Sequence, residues 1–223
     1  MNKIKYIAAV LIAIAGLGLQ QAKADFIFQL TVPNSGLSGF PGPYATVDVH
    51  LTDPTHATIS FTSLTSGTNI YLFGGVNAVD VNVNATSWTI GTFVATNAGT
   101  GFTPGPLSDG GSGTVDGFGV LNQTVNSFDG FTHASDFISF TLTNTSGTWA
   151  SDTTVLVANN QGVFGAAHIF VTTTIGGVNA SNSALVTGFA ANGGSTVPDG
   201  GTTVMLLGAA LGALGMARRF LMS

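Results

Sequence analysis

The chain has 223 residues, and charged residues make up 7% of it, against roughly a quarter in an ordinary soluble domain. Its five cations are Lys3, Lys5, Lys23, Arg218 and Arg219, so the span from Asp25 to Val197 carries nine Asp but no Glu, Lys or Arg. This argues against a nucleic-acid binder, which needs cations to displace phosphate counterions, and the absence of Cys removes disulfides, thiolate metal sites and cysteine nucleophiles.

The first 24 residues read as a secretory signal peptide. Lys3 and Lys5 supply the positive region, Tyr6 to Leu19 the apolar stretch, and Ala22-Lys23-Ala24 the small-x-small cleavage pattern. The apolar run is shorter than the ~20 residues a spanning helix needs. The expected partners are therefore the Sec translocon and signal peptidase, and the mature chain is expected to begin at Asp25.

From there the sequence alternates with a period of two, the signature of half-buried strands. Strands are predicted at Phe26–Val32, Thr46–Thr52 (Val47, Val49 and Leu51 inward) and His56–Thr62 (Ala57, Ile59 and Phe61 inward). Others follow at Ile70–Phe73, Ala78–Asn84, Trp88–Ala95, Ile138–Thr143, Val155–Ala158, Ala167–Thr173 and Ala184–Ala190. Thr, Val, Ile and Phe suit a pleated surface, and Gly, Asn and Ser punctuate it. The Gly-rich stretch Gly99 to Gly119 is the longest interruption and reads as a loop or a linker between halves. Many short strands with one apolar face each predict an all-β fold over residues 25–191, most simply a jelly-roll-like β-sandwich. A short parallel β-helix is the other option, but no fixed repeat supports it. Residues 192–196 read as a flexible spacer.

The chain ends in a three-part signal over residues 197–223. Val197-Pro198-Asp199-Gly200-Gly201 forms a turn signal. An uncharged apolar helix is predicted from Thr202 to Ala217, at about 24 Å marginal for a ~30 Å hydrocarbon core. Arg218-Arg219 follows, a cationic stop that would stay cytoplasmic. Turn, apolar helix and Arg-Arg, in that order at the terminus, resemble the PEP-CTERM family of sorting signals in its VPDGG variant, close to VPDSG. The resemblance implies cleavage by an exosortase-type membrane protease, with transient anchoring by the C-terminal helix before secretion or surface display. It also implies a bacterial host that makes exopolysaccharide. Asp129-Gly130-Phe131, Ile138 to Thr143 and Gly165 to Ile169 more weakly resemble the bodies of such proteins.

Candidate sites are sparse. Asp109 and Asp116 flank a Gly-rich run that looks like a calcium loop, since hard oxygen ligands on tight turns suit Ca²⁺, although the spacing fails the EF-hand pattern. Asp129 and Asp136, around the turn at Gly130 to Ser135, form a second possible oxygen cluster. His50 and His56 flank the Asp53-Pro54 turn and, with Asp48 nearby, raise the question of zinc. His168, in an apolar context, is expected as a hydrogen-bonded histidine at the core edge. Trp88 and Trp149 are the candidates for stacking on a sugar ring, with core packing as the competing role. Ser112 lies between glycines, but the outer Gly-x-Ser-x-Gly pattern is missing. No catalytic constellation emerges and no cofactor beyond Ca²⁺ is suggested. The expectation is a non-enzymatic surface protein with a structural or adhesive role in an exopolysaccharide or biofilm matrix. A carbohydrate-binding module is the alternative, and a surface hydrolase comes third.

Overall fold

The alternating segments form strands because each places one row of Val, Ile, Leu or Phe against a common interior. The structure is a computed structural model. It describes residues 25–99, 101–127, 133–175 and 184–198, with backbone only for 194–198. Residues Asp25–Gly200 make one compact unit, and the signal segment and apolar tail lie outside the described residues. No helix among the described residues is long and apolar enough to cross a membrane.

Twelve strands build the body: β1 (Phe26–Pro33), β2 (Ala45–Asp53), β3 (His56–Ser63), β4 (Thr65–Ser66), β5 (Asn69–Phe73), β6 (Val79–Val81), β7 (Trp88–Thr96), β8 (Ser108–Val115), β9 (Gly119–Asn126), β10 (Phe137–Asn144), β11 (Gly165–Thr172) and β12 (Val186–Pro198). They pair antiparallel along one path, β7-β10-β3-β2-β1-β12-β11-β6-β9-β8, with β5 joined to β11 and β4 to β5. The all-β expectation holds. The two layers expected from the sequence are not separate sheets, because one hydrogen-bonded path links every strand.

This single sheet curls around one interior. Phe61 of β3 meets Phe73 of β5 edge-on at 6.2 Å between ring centroids, although the path between them runs through β2, β1, β12 and β11. The same core takes Phe28, Val47, Ile59, Val81, Phe140 and Ile169. Each such side chain contributes roughly 1.5–3 kcal/mol on burial. Near the two ends of the path the sheet is stitched by side chains. Trp88 Nε1 on β7 donates to Gln123 Oε1 on β9 at 2.8 Å, and Gln123 Nε2 donates to Asp109 Oδ1 on β8 at 2.8 Å.

Several expectations need correction. Within Gly99 to Gly119, residues 108–115 are strand β8, whose backbone lies so close to β9 that a Cβ at Gly110 would come within 2.2 Å of Thr124 Oγ1. Gly110 and Gly113 are there for close approach to Thr124, whereas Gly111 has open space beside it and a left-handed φ of 61°. The predicted strand at Val155–Ala158 reduces to one bridge, Leu156 to Val83, after a 3-10 turn at Asp152–Thr154. The expected strand Ala78–Asn84 shortens to β6, with Val83 in that bridge. Residues 192–196 are not a flexible spacer, since they continue β12, which runs on to Pro198.

Candidate functional site

The body begins and ends at one place. In the β1–β12 ladder Phe26 lies opposite Pro198, Ile27 opposite Val197 and Phe28 opposite Thr196. Neighbouring strands stand about 4.8 Å apart. Asp25, the expected first residue after signal cleavage, therefore sits beside the start of the Val197-Pro198 turn signal.

A cluster of ligand-bearing side chains gathers at this end. β1 pairs with β2 so that Ile27 lies opposite Asp48 and Phe26 opposite Val49, which carries Asp25 to His50. His50 Nδ1 lies 2.6 Å from Asp25 Oδ1. Asp152, from the 3-10 turn, is 2% exposed, and its Oδ1 accepts the Leu51 N–H at 2.5 Å. Asp25, His50 and Asp152 each offer one ligand atom within 4.8 Å of the others, the one such group of three among the described residues. The hydrogen bond to Asp25 raises the His50 pKa; burial opposes this, and the charges of Asp25, Asp152 and Asp48 add to it. An imidazole with two carboxylates is a chemically sensible donor set for Zn²⁺. Sequence reasoning missed it, because Asp152 reaches the other two only through folding.

The paired histidines expected across the β2–β3 turn do not meet. His50 faces Thr58 in the ladder, and His56 lies opposite Asp53. His56 Nδ1 sits 2.8 Å from Asp53 Oδ2 and 3.0 Å from Thr55 Oγ1. Hydrogen bonds from His56, then from Thr55, hold the Asp53 carboxyl well below the usual range. Thr, His and Asp are thus adjacent, but one ring nitrogen meets both partners. A relay needs the acid on one nitrogen and the nucleophile on the other. His168 lies at the core edge as expected, stacked on Phe189 with ring centroids 4.2 Å apart and its Nδ1 3.1 Å from the Val76 carbonyl. Burial lowers its pKa, with the Val76 contact opposing.

Of the calcium candidates, Asp109 and Asp116 stand apart. Asp109 lies near the start of β8 and Asp116 just beyond its end, about 23 Å of extended chain apart. Asp109 Oδ1 accepts from Gly111 N–H and Gln123 Nε2, each at 2.8 Å, and Asp116 Oδ2 from Asn34 Nδ2 at 2.9 Å. These bonds are the turn- and strand-fixing role that Asp fills in any β protein. Asp136 accepts from Thr96 Oγ1 at 3.3 Å, and Asp129 lies outside the described residues. Ser112 donates its hydroxyl to the Leu121 carbonyl at 3.2 Å and has no histidine contact among its described bonds.

The two tryptophans differ in burial. Trp149 is 3% exposed, and its Nε1 donates to the Asn84 carbonyl at 2.8 Å, so burial overturns it as a sugar platform. Trp88 is half-buried against the core. Trp149 does form the floor of a groove of about 630 Å³ walled by Asn84, Thr86, Asn144, Ser146 and Thr148.

An all-β body followed by a C-terminal processing pattern defines the class: a β protein with a sorting tail. Residues 196–220 match the family model of the VPDSG-CTERM motif, with Gly200 where the motif's name has Ser. That motif implies an exosortase as processing partner and a secreted or cell-surface destination. No curated protein matches the chain, and no solved structure does.

Proposed function

We propose that the body acts outside the cell as a structural or adhesive component of an exopolysaccharide or biofilm matrix and is not an enzyme. The observation that carries this reading is the sorting motif attached to a single curled sheet whose surface lacks Lys and Arg. Such a body offers no cleavage site to trypsin-like proteases and presents Asn, Thr, Ser and Asp to its surroundings. The non-enzymatic reading draws support from the Thr55–His56–Asp53 geometry, where one nitrogen serves both partners. The exported precursor is anchored transiently by its apolar tail, and residues 1–24 are removed on the way out.

The test is a strain that lacks the protein, complemented with the full chain or with a chain lacking residues 197–223. The full chain is expected at the surface or in the medium and restores matrix cohesion. The shortened chain stays with the cell and restores nothing. Unchanged cohesion in the deletion strain, at equal polysaccharide yield, overturns the matrix role.

A carbohydrate-binding reading stands second, favoured by the uncharged amide- and hydroxyl-lined groove over Trp149. Retention on the host's own polysaccharide that is lost when Thr148→Trp fills the groove would favour it. Equal retention of both proteins would count against it.

A further inference from the structure

The stretch between the body and the sorting motif has the composition of a linker but is held like a core strand. Asn192 Oδ1 accepts the N–H groups of Phe164 at 2.7 Å and Gly165 at 3.2 Å, and its Nδ2 donates to the Gly162 carbonyl at 3.3 Å. Five residues of β12, Asn192 to Thr196, lie against three of β1, Phe28 to Leu30. The extra residues form a bulge. A Cβ at Gly193 would meet Thr31 Oγ1 at 2.3 Å, so this glycine is required by close approach to β1. Beyond the bulge the ladder resumes, and Thr196, Val197 and Pro198 pair with Phe28, Ile27 and Phe26. The ladder with β11 covers only Val186 to Ala191, so among the described residues β1 alone pairs with this last segment. Phe26 and Phe28 are fixed in turn, 7% and 1% exposed in the core and paired with β2.

We propose that Thr196–Pro198 is a β-latch: the first residues of the exported body clasp the first residues of the sorting motif, so that the sorting cut falls beyond Pro198. The proposal rests on the exosortase reading for the cut itself, and on the ladder for its position. Proteases act on exposed, unpaired chain. A bond in the ladder is out of reach unless the strand peels away from β1, and the last pair of that ladder among the described residues is Phe26 with Pro198. Hydrolysis beyond Pro198 adds water across one peptide bond, leaving the new carboxyl on the body and the new amine on the tail. The body then keeps all of β12, and both of its new termini emerge at one end of the same ladder. No slack separates the sheet from the motif, so the precursor is processed at the foot of the folded body.

Two measurements test the latch. The first is the intact mass of the protein recovered from the surface and the medium of the producing cell. A C-terminal residue from Pro198 to Gly201 supports the latch, and one at Val197 or earlier overturns it. The second is amide hydrogen exchange on the full chain in detergent micelles. Neighbouring N–H groups point to opposite sides of a strand, so the one of Thr196 and Val197 that faces β1 is expected to exchange about tenfold or more slowly than unstructured chain. Exchange of both at the coil rate overturns the proposal. Gly193→Val is expected to return it to the coil rate while the β2–β3 amides stay protected; unaltered protection at 196–197 overturns the role of the bulge. Exchange reads the latch without any cut. A product that retains Arg218-Arg219 therefore refutes the exosortase reading, and coil-rate exchange refutes the latch.

Discussion

Asp80 sits in the middle of β6, opposite Ala166 on one side and Thr124 on the other. Both of its carboxylate oxygens are buried without a hydrogen-bond partner, and the residue is fully inaccessible. Burial pushes its carboxyl well above the usual carboxylate range, so the folded state favours the neutral acid. A folded pKa above the unfolded one means that the native state holds the extra proton between the two values. Stability from this group is complete below the unfolded value near pH 4 and is lost as pH rises through the folded value. Asp80→Ala is therefore expected to stabilise the protein at pH 8 by about 2 kcal/mol, the usual cost of a buried polar group without a partner. The gain should shrink towards zero or reverse at pH 4. Urea unfolding at both pH values decides it, and parallel stability–pH curves for the two proteins would refute the account. His50 gives a second residue-level expectation. Its ring should titrate above 6.5 in an NMR pH series, and Asp25→Asn should lower the midpoint, because the bond to Asp25 is the leading cause of the shift. A midpoint unmoved by that change would mean the pair does not form. Neither feature is legible in the sequence: Asp80 reads there as an outward-facing residue of an alternating strand, and nothing local links Asp25 to His50.

Among the elements, legibility followed hydrophobic content. β2, β3 and β10 were readable because Val47, Val49 and Leu51, then Ala57, Ile59 and Phe61, then Ile138, Phe140 and Leu142 alternate with polar residues, and all nine are buried. β8, Ser-Asp-Gly-Gly-Ser-Gly-Thr-Val, carries almost no apolar signal and has the residues least suited to strands. It forms because β9 offers a partner edge and because Gly110 and Gly113 let the backbone sit over Thr124. Gly110→Val is accordingly expected to destabilise the body by about 2 kcal/mol, through overpacking against Thr124 and Asn126. A midpoint in urea unfolding within error of the parent would show that β8 moves freely. The edge strand β7 shows the opposite device. Thr92 adopts φ 50°, in the left-handed region, beside a register shift between β7 and β10. Such a bulge twists an open edge away from pairing with another chain. Alternation in the sequence gives no sign of it, because Thr is among the residues that favour a regular strand.

For the molecule as a whole, the decisive fact is where the last strand goes. β12 lies between β1 and β11, near the middle of the path, not at an edge. The sheet is incomplete until β12 has been made, since the partner of the first strand is the last strand of the body. Without β12, the ladder edges of β1 and β11 and the core around Phe28, Leu30, Ile169 and Ala167 would face water. An antiparallel sheet cut in two at its centre loses both the hydrogen-bond pairing and the shared core that hold its halves. A full chain truncated after Leu185 is therefore expected to show no cooperative thermal transition. Truncation after Pro198, which removes the apolar tail but keeps β12, should leave Tm within about 4 °C, the shift that 1 kcal/mol produces in a chain of this size. Circular-dichroism melts of the two truncations and the parent decide the matter. A cooperative melt from the shorter chain would mean that the halves of the sheet are stable apart. A large loss from the longer one would mean that the tail contributes to the fold. The predicted pattern ties export to folding: the body closes only when its last strand has arrived, and that strand arrives carrying the sorting motif on its end.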